Sequence, residues 1–140
     1  MTDKNKSMEA FKGPITYRDL TEKQNAIDEV ASKDWDSGIL TYRLVTITEF
    51  FIQNLKIYQK IFEKLRRTYA IIDDKGNWKV PPEKILKYND EQDKVLDTEI
   101  PIDVLKVDFG EIILKPKQIA MLREFIDEAY MERIKTLGIK

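Results

Sequence analysis

The hydrophobic pattern between Ile39 and Ile72 has the period of an α-helix. Apolar residues recur at steps of mostly three and four, Thr48 fills one position, and polar residues recur seven apart on the opposite side. The apolar positions are Leu44, Phe51, Leu55, Tyr58, Phe62, Leu65, Tyr69 and Ile72. Because no Gly or Pro interrupts the run, it predicts one helix of about 50 Å, roughly twice the diameter of a domain of this size. One small core cannot cover such a helix, so other chains or other parts of this chain must meet its ends.

The seam of this helix predicts the centre of the core. The residues that we expect to be buried against the two C-terminal helices or a second copy are Phe51, Leu55, Phe62 and Leu65. The first half of the helix carries additional apolar residues beside the seam, and Phe50 and Ile57 lie well off it. Either the chain's own elements bury this helix on several sides, or Phe50 and Ile57 belong to an apolar face kept for a partner subunit.

Three shorter helices are predicted around the long one. Residues 21–24 have the pattern of a capping box, which starts a helix over about residues 22–33. A proline suited to the first helical position starts each of the other two, over about residues 82–97 and 116–137.

Residues 99–114 change to the period of a β-strand. Apolar and polar residues alternate there, the alternation slips by one residue at Val104 and Leu105, and Pro101 limits the segment to a sheet edge. A tight turn is predicted at residues 73–77, followed by an extended segment at 78–80 that either pairs with 70–72 or stands alone. The predicted fold class is therefore mainly α: a long central helix, three shorter helices and a small β element.

The N-terminal residues 1–13 are polar, and we expect them to form a flexible arm on a single helical domain of residues 14–140. Ordering such an arm costs ~1–2 kcal/mol per residue in backbone entropy, more than its few apolar side chains offset. A neighbouring subunit is the nearest candidate to hold it. The candidate protein-interface residues are thus Met8, Phe11, Pro14, Phe50 and Ile57.

Composition limits the possible chemistry. The sequence has no Cys and no His, which excludes disulfides, a thiol nucleophile, the Ser-His-Asp arrangement and nearly all zinc or haem ligation. Its five Gly are scattered singly, so no phosphate-binding glycine loop is predicted. We therefore expect no enzymatic activity, no cofactor and no small-molecule substrate.

Charge and hydropathy bear on partners and location. The net charge of −1 gives no overall electrostatic case for nucleic acid or an anionic membrane, so nucleic acid is an unlikely partner. No apolar run approaches the ~20 residues of a membrane helix, and residues 1–12 lack the apolar segment of a signal peptide. These patterns predict synthesis in the cytoplasm and no membrane association.

Three groups of charged residues have the residue types of a metal or phosphate site, and each also has a simpler explanation. Asp103, Asp108, Glu111 and Lys115 contain the residue types of a metal-dependent nuclease, but the usual spacing is absent and solvated strand faces explain them. The acidic turn at residues 73–77 lacks the twelve-residue pattern of a calcium loop. A group of positive charges lies near the C-terminal end of the long helix, at Lys64, Arg66 and Arg67. These side chains either stabilise the negative end of the helix dipole or contact a phosphate backbone.

The order of several short motifs is similar to that of a known family. The motifs are Leu65-Arg66-Arg67-Thr68-Tyr69, Asp73-Asp74-Lys75-Gly76-Asn77-Trp78, Tyr88-Asn89, Val95-Leu96, Glu99-Ile100-Pro101-Ile102 and Pro116-Lys117-Gln118-Ile119-Ala120-Met121-Leu122. Over about residues 40–126 the chain resembles a family of small uncharacterised proteins encoded by tailed bacteriophages and prophages. The family has no established catalytic residues to transfer to this sequence.

The resemblance implies a phage origin and a role in the virion or its assembly. The first hypothesis is a non-enzymatic structural or assembly protein, made in the host cytoplasm and then virion-associated, which packs with copies of itself or with other virion proteins. The second is an intracellular phage regulator or inhibitor that binds a host protein or DNA. A metal-dependent nuclease is the third.

Overall fold

A computed structural model of the chain describes residues 9–137. Their fold is mainly α with minor β, as the sequence predicts. The elements in order are β1 (Ala10–Lys12), β2 (Ile15–Thr16), α1 (Tyr17–Ala31), α2 (Gly38–Tyr69), β3 (Ile71–Ile72), β4 (Trp78–Lys79), α3 (Pro82–Leu96), β5 (Glu99–Ile100), β6 (Asp103–Leu105), α4 (Pro116–Leu122), a 3-10 turn (Arg123–Phe125) and α5 (Glu128–Thr136).

The long helix α2 has 32 residues and is therefore about 48 Å long. Ser37 caps its start, since the Ser37 hydroxyl accepts a hydrogen bond from the Leu40 amide at 3.2 Å. All of its buried residues lie before Lys56, and they are Leu40, Leu44, Ile47, Phe51 and Leu55. We call residues 38–55 the proximal half and residues 56–69 the distal half. The core covers only the proximal half.

Helix α1 begins five residues before the predicted start. Thr16 and Asp19 form the capping box, in which each side chain accepts a backbone amide of the other residue at 3.1 Å. Thr21, which the sequence suggested as the cap, lies inside the helix and donates its hydroxyl to the Arg18 carbonyl. Helix α1 begins at the capping box of Thr16 and Asp19 because it then also buries Tyr17 and Leu20.

The described part of the N-terminal segment belongs to the folded body. Strand β1 pairs antiparallel with β6, and β2 pairs antiparallel with β5. Between them, the Gly13 amide donates to the Ile102 carbonyl at 2.9 Å, and a Cβ at Gly13 would collide with the Ile102 side chain. The predicted arm boundary at residue 13 is therefore wrong for residues 9–13, because residues 10–12 complete a sheet edge that β6 would otherwise leave unpaired. Residues 1–8 lie outside the described residues.

The C-terminal segment is not one helix. Its predicted span of 116–137 contains α4, the 3-10 turn, an extended residue at Ile126 and then α5. Ile126 forms a parallel bridge with Val107, and the Asp127 amide donates to the Val107 carbonyl at 2.8 Å. Asp127 then caps α5 by accepting the Ala129 amide at 2.9 Å. The apolar residues keep their helical spacing across this break, so the sequence pattern does not reveal it.

The core lies between α1, the proximal half of α2, the β1–β6 pair, α4 and α5. Phe125 is at its centre, with its ring centroid 5.7 Å from that of Phe51 and 5.2 Å from that of Phe11. Tyr130 of α5 is fully buried beside Phe109. These contacts leave the distal half of α2 outside the core apart from Tyr58, whose half-buried ring packs against the core with its centroid 5.5 Å from that of Tyr17.

The distal half packs instead against α3. The rings of Tyr69 and Tyr88 lie 5.9 Å apart between the two helices, and a short hairpin of β3 and β4 joins them. Phe62 and Leu65, which were predicted to be buried against the C-terminal helices, are only half-buried. The predicted burial of these two residues against the C-terminal helices is therefore wrong within one chain, because α1, β6 and α3 are the main elements that pack on α2 and α3 contributes no fully buried residue. Their burial against a second copy stays a prediction.

Candidate protein-interaction surfaces

Of the acidic residues that suggested a metal-dependent nuclease, Asp108 makes structural contacts. Asp108 pairs with Arg133 and accepts the Gly110 amide at 2.8 Å, while Asp103 is exposed on β6. Within residues 9–137, no group of three or more potential metal-ligating side chains is assembled. In the turn at residues 73–77, the Asp73 carboxylate accepts the amides of Lys75 and Asn77, both at 2.9 Å, and Gly76 has a φ of 81°. This is turn chemistry.

The candidate interface residues at the N-terminus fall in different environments. Met8 lies outside the described residues. Phe11 is half-buried, with its ring edge-on to Phe125 of its own chain. Pro14 is exposed in the connection between β1 and β2. Phe11 therefore has an intramolecular role in the core, and its contact with another chain stays a prediction.

The two candidates on α2 share one helix face, because they are seven residues apart. Phe50 is half-buried against the core, with its ring 6.5 Å from that of Phe51. Ile57 is exposed to 49%. Of this pair, only Ile57 is exposed, with about half of its surface accessible to a partner.

The distal half, the β3–β4 hairpin and α3 together form a thin layer, which we call the projection (residues 56–97). Six large apolar side chains are exposed on it: Ile57, Ile71, Ile72, Trp78, Ile85 and Leu86. Leu86 is the extreme case at 84% exposure. Sequence reasoning identified Ile57 and missed Leu86, although Leu86 stands outside the apolar stripe of its own helix and that was a usable signal.

A second apolar surface is the loop between Val107 and α4. Ile112 and Ile113 are each 50% exposed on it, and a cleft of about 690 Å³ lies on either side. The buried Tyr130 is hydrogen-bonded to this loop. Its hydroxyl donates to the Ile112 carbonyl at 2.8 Å and accepts a hydrogen bond from the Leu114 amide at 3.0 Å. The proximal half of α2 exposes a further strip of large side chains, namely Ile39, Tyr42, Val45 and Ile52.

Electrostatic effects follow these contacts. Burial raises the pKa of the Tyr130 phenol above its ordinary value, against the opposing effect of the hydrogen bond from Leu114. Burial between α2 and α3 also raises the pKa of Tyr88. On the outer side of α3, the hydrogen bond to Asp90 raises the pKa of Lys94. Each shift belongs to a packing contact or a surface ion pair.

Comparison with known proteins adds no family. No protein-family profile, no curated protein and no solved structure matches the chain. Among the helices of residues 9–137, none combines the length and the apolar character required to cross a bilayer.

Proposed function

We propose that this chain is a non-catalytic structural or assembly protein of a phage, which packs with copies of itself or with other virion proteins. The observation that carries the proposal is the projection, a two-helix layer whose α3 has no fully buried residue and whose surface exposes six large apolar side chains. A high density of exposed large apolar side chains on one small element is typical of protein-interaction sites. The phage setting rests on the sequence resemblance alone.

The projection is also built to stay rigid enough to bind. Arg66 is held by Glu63 at 2.9 Å and lies 5.7 Å from the centre of the Trp78 ring, and Arg18 of α1 donates to Asp97 at the end of α3 at 2.9 Å. These contacts hold the hairpin against the distal half of α2 and the C-terminal end of α3 against α1. A preorganised surface loses less entropy on association than a flexible one.

Mass spectrometry of purified particles tests the proposal. Particles released from a host that expresses the chain should contain it at a fixed copy number after density-gradient purification. A control chain with Ile71→Asp and Trp78→Ser in the hairpin should fold but be depleted from the particles. Absence of the unmodified chain from the particles contradicts the structural role.

The second candidate is an intracellular phage regulator that binds a host protein or DNA. The basic side chains of the distal half favour it, since Lys56, Lys60, Lys64 and Arg67 are exposed and form no ion pair within the described residues. In that case the chain is present in infected cells and absent from particles.

The third candidate, a metal-dependent enzyme, is tested through its carboxylates. Asp103→Asn and Glu111→Gln should leave incorporation into particles unchanged, since both side chains are exposed. Loss of function in either variant with normal folding supports a metal site instead. Calorimetric titration of the intact chain with Mg²⁺ or Mn²⁺ gives an independent measurement, and heat of specific binding would contradict the proposal.

A further inference from the structure

The outer side of the distal half of α2 is a basic face. Lys56, Lys60, Lys64 and Arg67 recur at helical spacing, and Ile57 lies among them. Between Lys56 and Tyr69 there are five Lys or Arg residues and one Glu, which gives a local net charge of +4. We call the group of Lys56, Lys60, Lys64 and Arg67 the basic face. It is notable in a chain whose overall charge is −1.

The outer side of α3 is an acidic face with the same organisation. Glu83, Asp90, Asp93 and Asp97 surround Leu86, which is 84% exposed. Residues 82–97 contain five acidic and three basic residues, so their net charge is −2. Lys94 pairs with Asp90, and Arg18 pairs with Asp93 and Asp97. These are exposed ion pairs of small energy, and they leave the acidic residues accessible to further cations.

The two faces lie on opposite sides of the projection. The helices contact each other through Tyr69 on α2 and Tyr88 on α3. At 100° per residue, Lys60 and Lys64 are about 160° around α2 from Phe62, on the inner side, and Asp90 is about 160° around α3 from Tyr88. The projection therefore carries positive charge on one side and negative charge on the other.

We infer that the basic face of one copy docks on the acidic face of a second copy. The inference rests on the proposed function and specifies its self-association. The basic face extends from Lys56 to Arg67, about 16 Å of helix, and the acidic face from Glu83 to Asp97, about 21 Å, so the acidic face is long enough to cover the basic face. Each face also offers one exposed aliphatic side chain, Ile57 or Leu86, beside charges of the complementary sign.

A second copy fits the basic face better than nucleic acid does. A phosphate backbone would use the four cations but would bury Ile57 against charged oxygens without an apolar partner. The acidic face of another copy satisfies both features, because Leu86 supplies the apolar contact and the carboxylates supply the charge. It would also bury Leu86, which is 84% exposed in the single chain.

The contact joins two different faces, so it is heterologous. Each docked copy leaves one basic and one acidic face free at the ends of the assembly, and further copies add until a ring closes or a filament grows. Two copies alone do not saturate the contact. A ring or filament of copies is a suitable geometry for a particle component.

Analytical ultracentrifugation of designed variants tests the inference. The unmodified chain should form concentration-dependent species larger than a dimer at about 0.05 M salt and largely dissociate at about 0.5 M, because salt screens exposed charges. Lys60→Glu with Lys64→Glu removes the basic face, and Asp90→Asn with Asp93→Asn removes the acidic face. Each variant alone should associate at least tenfold more weakly than the unmodified chain.

Mixing the two variants distinguishes a head-to-tail contact from other arrangements. One variant retains an acidic face and the other a basic face, so the mixture should form a 1:1 heterodimer and nothing larger. The matched control is Lys117→Glu with Lys135→Glu, which changes the charge equally at exposed positions outside both faces. It should assemble like the unmodified chain, and circular dichroism confirms that every variant is folded.

Several outcomes overturn the inference. A monomeric unmodified chain at all concentrations contradicts self-docking, while its presence in particles would still support the proposed function through other partners. Assembly that both face variants retain places the contact elsewhere. Binding of a fluorescent DNA oligonucleotide that is lost only in Lys60→Glu with Lys64→Glu, by a chain that stays monomeric, assigns the basic face to nucleic acid.

Discussion

At the scale of single residues, the phenol of Tyr130 connects the core to an exposed surface. Its ring is fully buried, and its hydroxyl is bonded to both the Ile112 carbonyl and the Leu114 amide. Tyr130 lies within residues 116–137, which the sequence predicted to be helical. That pattern gave no sign of the hydroxyl's partners, because they come from a loop sixteen and eighteen residues away.

Tyr130→Phe should destabilise the protein by about 1–3 kcal/mol. The ring is retained, but a buried amide and a partly buried carbonyl lose their partner, and such unsatisfied groups are costly. Urea denaturation measures the loss. The matched control is Tyr42→Phe on the exposed side of α2, where Tyr42 is 68% exposed and a change within about 0.5 kcal/mol is expected. Equal effects at the two tyrosines would show that the loop does not depend on this hydroxyl.

Gly13 is a second residue whose role depends on its tertiary neighbours, because they leave no room for a side chain at this position. A Cβ there would collide with Ile102, whereas a Cβ at Gly38 would meet nothing within 4 Å. Gly13→Ala should therefore cost about 1–3 kcal/mol through overpacking, and Gly38→Ala should be neutral or stabilise by up to about 1 kcal/mol. Thermal unfolding of the two variants is the comparison. If Gly13→Ala is as stable as Gly38→Ala, residues 10–16 do not pack on β5 and β6 as described.

At the scale of elements, local signals predicted the starts of α2, α3 and α4 well, but they predicted the start of α1 and the packing of the helices poorly. Helix α2 begins within one residue of the predicted position, and α3 begins at the predicted proline, because a cap or a proline acts on its own neighbours. The break at Ile126 depends on a bridge to Val107, and the covering of Phe62 depends on which helix packs there. Neither has a signal in a single window of sequence.

The two halves of α2 should respond differently to the same substitution. Leu55 is 6% exposed in the core, whereas Leu65 is half-buried against α3. Leu55→Ala should cost about 2–5 kcal/mol, as buried large-to-small changes do, and Leu65→Ala should cost less than half as much. Denaturant unfolding at a concentration where the protein is monomeric gives both values. A loss at Leu65 equal to that at Leu55 would mean that another segment of the same chain covers the distal half.

The candidate surfaces show the same division between local and tertiary information. The position of Ile57 off the helix seam made it a candidate interface residue, because that position depends only on the helical period, and the structure shows it exposed. Leu86 and the opposition of the basic and acidic faces required the packing of α3 on α2. Sequence therefore indicated one exposed residue of the projection, and the arrangement of the whole surface came from the structure.

At the scale of the whole molecule, the chain consists of a well-packed body and a projection with little core of its own. The body contains nearly all of the buried residues, and Ala70 is the only described residue of the projection in that class. Local opening of a segment requires less free energy when few apolar contacts are lost. The projection should thus open more readily than the body in an isolated copy.

Hydrogen exchange measured by mass spectrometry tests this difference. In dilute protein, amides of α3 should exchange at least tenfold faster than amides near the centre of α1, where Leu20, Ile27 and Val30 are buried. At concentrations that permit assembly, α3 and the distal half of α2 should gain protection, while α1 should change little. The Asp90→Asn and Asp93→Asn variant serves as the control, since its basic and acidic faces no longer match. If α3 is as protected as α1 in dilute protein, the projection is stable by itself and its exposed apolar side chains do not mark a surface that needs a partner.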